Sequence, residues 1–77
     1  EELRALASEM EAAYGQLDPN DTQKLFEFAS RLTTALKRMS VLVGRIPAPH
    51  RNGAQERVDA LKAIHREITV ERLGLGV

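Results

Sequence analysis

The sequence contains no cysteine and no tryptophan, and only one tyrosine and two phenylalanines. Without thiols, neither a disulfide nor a zinc–thiolate centre can hold the fold. With so few rings, the core must be assembled from Leu, Ile, Val, Met and Ala. No apolar run approaches the ~20 residues that cross a bilayer as a helix, so no membrane partner is expected. The opening Glu1-Glu2-Leu3-Arg4 is net acidic, unlike the positive start of a secretory signal, and a cytoplasmic location is the expectation. Because the first residue is not Met, the chain reads as a fragment of a longer protein. A further absence is local: no acidic residue occurs between Arg31 and Gln55.

What is present is one domain's worth of chain, residues 1–77. A domain this short buries only roughly 60% of its unfolded surface, and such light cores often finish themselves by self-association. The net charge of zero hides an asymmetry. Residues 1–30 carry seven acids and two bases, 2 − 7 = −5; residues 31–77 carry nine bases and four acids, 9 − 4 = +5. Such halves mark either a partner surface or two parts that pack on each other.

Apolar periodicity predicts three helices, at about 2–16, 19–46 and 54–72, in an all-α fold. In the first, Leu3, Leu6, Met10, Ala13 and Leu17 recur at alternating steps of three and four. Asp18, followed by Pro19, is a good N-cap for the second helix. Along that helix Leu25, Ala29, Leu32, Leu36, Met39, Val43 and Ile46 form a coiled-coil-like seam, widened by Phe28, Ala35 and Leu42. Phe26 falls off the seam, where both a buried ring and an exposed docking anchor remain open. Pro47 stops the helix, and Pro47–Gly53 reads as a proline-stiffened loop. The third helix presents Val58, Leu61, Ile64, Ile68 and Leu73, with β-branched Ile68-Thr69-Val70 marking its fraying end, and Gly74 and Gly76 terminating it.

Short connections make each flanking helix antiparallel to the long second one. With the third helix starting near Ala54, the flanking helices overlap for only ~10 Å along the axis. Apolar surface is left over on the long helix, and a homodimer is expected to cover it, completing a helical bundle. Leu25, Phe28, Leu32, Leu36, Met39, Leu42 and Val43 are the expected interface.

No catalytic constellation is visible, and no enzyme activity, cofactor, metal or small-molecule substrate is expected. His50 and His65 match no metal-ligand spacing; His65 reads as a border-of-core residue. The one arrangement with positive content is basic. Lys24, Arg31, Arg38 and Arg45 lie seven apart along the second helix, flanked by Lys37 and continued by Arg51. Arg31, Lys37, Arg38, Arg45 and Arg51 could contact nucleic acid or an acidic partner. Alternatively, Glu9 and Glu2 of an antiparallel first helix fall level with Arg31 and Arg38 and neutralise them. The leading expectation is a non-catalytic oligomerisation or adaptor domain that binds itself or another protein. The alternative is a small nucleic-acid-binding or transcription-regulatory module.

Overall fold

The computed structural model describes residues 2–74. Glu1, the first residue of the acidic opening, and Gly76, read as a helix stop, lie outside them. The described residues form α1 (Glu2–Gly15), α2 (Thr22–Gly44) and α3 (Ala48–Arg66), the last running on into a π-helical segment, Glu67–Arg72. Both α1 and α3 pack on α2, and they also pack on each other. Cross-helix pairs set the directions. Glu9 meets Arg31 and Glu2 meets Arg38, so α1 runs antiparallel to α2. Ser8 and Glu11 meet Arg57 while Tyr14 meets Glu67, so α1 and α3 run parallel. Thr33 meets His65, so α3 returns antiparallel along α2.

The start of α2 lies three residues later than the sequence suggests. Asp18 anchors a turn instead: its carboxylate accepts the Asn20 N–H at 2.9 Å, and its carbonyl accepts the Asp21 N–H at 3.1 Å. Pro19 supplies the fixed φ of that turn. Asp21 is the N-cap, with extended backbone and a side chain that accepts the Lys24 N–H at 3.1 Å. Two good capping residues lie three apart, and the turn between them selects the second.

The larger correction concerns the expected loop. Residues 48–53 are helical, and α3 begins at Ala48 rather than Ala54. Pro47 makes the corner with an extended backbone (φ −56°, ψ 142°), and Pro49 sits in the first turn, where no intrahelical N–H is needed. Prolines that read as loop are equally at home in a first turn. Asn52 and Gly53 are poor helix formers, but the turn they occupy leads into Ala54 and Val58, which join the core. Packing overrides propensity here. The six extra residues lengthen α3 by ~9 Å, so α1 finds α3 beside it along its length.

At the other end the helix widens rather than frays. The Leu73 N–H bonds to the Ile68 carbonyl at 2.9 Å, an i→i+5 link. Residues five apart then stand nearly in register, so Ile68 is fully buried and Leu73 packs against the same core. The Thr69 hydroxyl donates to the His65 carbonyl at 3.0 Å, which favours departure from α geometry. Gly74 follows with φ 67°, a left-handed stop to the helical stretch before it.

One hydrophobic core results. Leu32, Met39, Leu61 and Ile68 are completely buried, with Ala7 and Met10 from α1 and Val58 from α3 sealing it. Among the described residues every fully buried side chain is apolar. Phe28 lies in the core and Phe26 outside it, 54% exposed. Tyr14 stacks at a tilt on Phe28, ring centroids 6.0 Å apart. Its hydroxyl donates to Glu67 at 3.1 Å, tying α1 to the π segment. That bond, with desolvation second, holds the phenol above its ordinary pKa.

Candidate interaction surface

The seven residues expected at a dimer interface fall on the inner side of α2. Leu25, Phe28, Leu32, Met39 and Val43 are buried by the chain's own α1 and α3; Leu36 and Leu42 are half-buried. The apolar surplus that motivated a second copy was a consequence of the short third helix, and the longer α3 removes most of it. What remains exposed on α2 is Phe26 and Val41, fifteen positions apart.

The basic ridge is divided. The Arg38 guanidinium grips Glu2 with two hydrogen bonds, 2.7 and 2.9 Å, in the fork geometry that suits carboxylates. Arg38 holds the Glu2 carboxyl below the usual carboxylate range and is itself raised by it. Arg31 reaches Glu9 at 3.3 Å. The acidic first helix and the basic second helix therefore meet at the two levels that heptad spacing predicted. Arg51, near the start of α3, reaches back to the connection before it, donating twice to the Ile46 carbonyl at 2.9 and 3.2 Å. There it satisfies a backbone carbonyl of the connection between α2 and α3. Lys37 and Arg45 are exposed, and among the described residues neither forms an ion pair. Of the five basic contacts read from the sequence, three are thus held by the protein itself.

Two residues outside that set matter more than the sequence indicated. Arg57 on α3 donates to Glu11 at 2.8 Å and to Ser8 at 3.3 Å, locking α1 to α3. Glu11 raises the Arg57 guanidinium further. Arg57 and Glu11 are 46 positions apart on helices that do not both adjoin in sequence, so no local pattern pairs them. Arg4 is exposed at the start of α1 and, with Arg45, lines a cleft of about 720 Å³. The cleft lies between the N-terminal halves of α1 and α3, over the α2–α3 corner.

The histidines are apart. His65 lies at the border of the core, its Nε2 at 2.7 Å from the Thr33 hydroxyl. That hydroxyl also lies 2.9 Å from the Ala29 carbonyl, to which it can donate while accepting from the Nε2–H tautomer of His65. His50 lies on the first turn of α3 beside the cleft. Among the described residues no three His, Asp or Glu side chains converge as metal ligands. None of the described helices is long and apolar enough to cross a membrane.

The fold defines a three-helix bundle with a long central helix. Compared with protein-family profiles, curated protein sequences and solved structures, the chain matches none of them.

Proposed function

We propose that this domain is a non-catalytic protein-interaction module, working as an adaptor through its exterior while its amphipathic helix faces make its own core. The observation that carries this reading is the internal neutralisation of the ridge. Glu2 and Glu9 occupy Arg38 and Arg31, and the Ile46 carbonyl occupies Arg51. A duplex would have to displace carboxylates already in place, and each guanidinium so released returns a charge to α1. Nucleic-acid affinity scales with the number of phosphates neutralised, and only Lys37 and Arg45 of the five stand ready. The lack of aromatic side chains among these bases also leaves single strands little to stack on.

Completion by a second copy is the other form of the protein-binding reading. Five of its seven contact residues are buried within one chain, so it requires either an opened bundle or a different face, such as that of Phe26 and Val41. The closed core favours the single-chain form.

Titration with a mixed-sequence DNA duplex at low salt, followed by amide NMR, separates the readings. The expected outcome is no saturable binding below about 100 µM, the weak end of non-specific duplex affinity. Saturable binding that weakens steeply with salt and disappears in an Arg38→Glu, Arg45→Glu variant establishes the nucleic-acid alternative instead.

A further inference from the structure

We propose that the cleft between the N-terminal halves of α1 and α3 receives an acidic amphipathic helix from a partner protein. The proposal rests on the protein-interaction reading above and names the partner's chemistry. The floor of the cleft is apolar, formed by Leu3, Ala7, Ile46, Ala54 and Val58. Its rim is cationic, with Arg4, Arg45 and Arg57, and His50 adds an imidazole. Among the described residues no carboxylate lines it. Arg57 is engaged by Glu11, but Arg4 and Arg45 form no ion pair among the described residues. Glu2, whose carboxyl also feels the Arg45 charge, gives both oxygens to Arg38. The surface therefore asks for negative charge flanking an apolar anchor.

Gly53 supplies an independent argument. It lies inside α3, where glycine costs ~1 kcal/mol relative to alanine. No packing contact requires it: a Cβ built there meets nothing within 4 Å. What its missing side chain does is keep the cleft wall open. A local rule broken without a packing reason is expected where a surface is used.

The shape selects a helix rather than a small ligand. Small-molecule sites fix their ligands with a few buried polar groups, and the buried side chains here are all apolar. The trough lies between two parallel helices whose facing residues Ala7, Gly53 and Ala54 are small, a surface on which a third helix packs ridge into groove. Phosphodiester backbones offer no anchor for the floor, and the lining has no Phe, Tyr or Trp for a base to stack on, His50 being its one aromatic ring among the described residues.

The test uses two stapled helical peptides of about four turns, with identical leucines at i, i+3/i+4 and i+7. One carries glutamates at the flanking positions and the other lysines. Binding to the chain is read by fluorescence polarisation and located by amide NMR. The glutamate peptide is expected to bind about tenfold tighter than the lysine peptide, the effect of two rim ion pairs near the upper end of their range. Its shifts are expected at Arg4, Arg45 and Gly53. An Arg4→Glu, Arg45→Glu variant reverses the preference, and Gly53→Leu, a better helix former that fills the trough, abolishes binding while the thermal midpoint holds or rises. Equal affinity for the two peptides, no binding of either, or displacement of the glutamate peptide by duplex DNA overturns the proposal. Shifts centred on Phe26 and Val41 overturn it as well, but leave the protein-interaction reading intact.

Discussion

Replacing Gly53 by alanine tests the corner where α2 hands over to α3. Gly53 is the sixth residue of α3, beyond its first turn. An added methyl group meets no atom within 4 Å, so no strain opposes it. Alanine restricts the unfolded chain and suits the helix, an expected gain of ~1 kcal/mol. For a domain of this size that raises Tm by about 4–8 °C. Had Asn52-Gly53 formed the turn that its sequence suggests, Gly53 would occupy the left-handed region and alanine would cost about 1–2 kcal/mol. The two geometries thus predict opposite signs. Thermal unfolding followed by circular dichroism, with urea midpoints as a check, reads the difference directly. A lowered Tm refutes the helical start at Ala48 and, with it, the closure of the bundle by a long α3.

Asp21→Ala is expected to lower stability by ~1 kcal/mol through loss of the cap on Lys24 N–H; Asp18→Ala, which removes only an exposed turn bond to Asn20, costs less in the same urea titration. Leu32→Ala opens a cavity at a completely buried position and is expected to cost about 2–5 kcal/mol, whereas Phe26→Ala, 54% exposed, stays within about 0.5 kcal/mol of the parent. The Glu2 carboxyl is depressed by Arg38, so its stabilising contribution is present above its unfolded value of about 4.3 and is lost as pH falls below that toward the depressed folded value. A Glu2→Gln variant therefore loses less stability than the parent between pH 6 and acid, roughly pH 3, and identical acid limbs contradict the pair.

Much of the fold was legible because it is written in periodicities. The seam from Leu25 to Val43 lies in the core, and the charge ladder on α2 anticipated the meeting of Glu9 with Arg31 and Glu2 with Arg38. The dissenting elements are those where one residue type serves two structures. Pro47 and Pro49 suit a loop or a first helical turn, and the turn that forms has no side-chain cap to announce it. Asp18 and Asp21 are rival caps. The π segment is hidden because the five-residue step from Ile68 to Leu73 fits no helical face until the helix widens. The cleft was not legible at all: Arg4, Arg45 and Gly53 belong to three separate helical neighbourhoods with no motif in common, and only the packing of α1 beside α3 brings them to one trough.

That packing is the centre of the account: the apolar face of α2 is consumed inside one chain, which is why the interaction surface proposed above lies on the exterior. Sedimentation equilibrium of these residues, from low to high micromolar concentration, tests it most directly. A single species at the mass of one chain across the range is the predicted result. A dimer that persists on dilution, and that Leu36→Asp or Leu42→Asp dissociates into folded monomers, contradicts it.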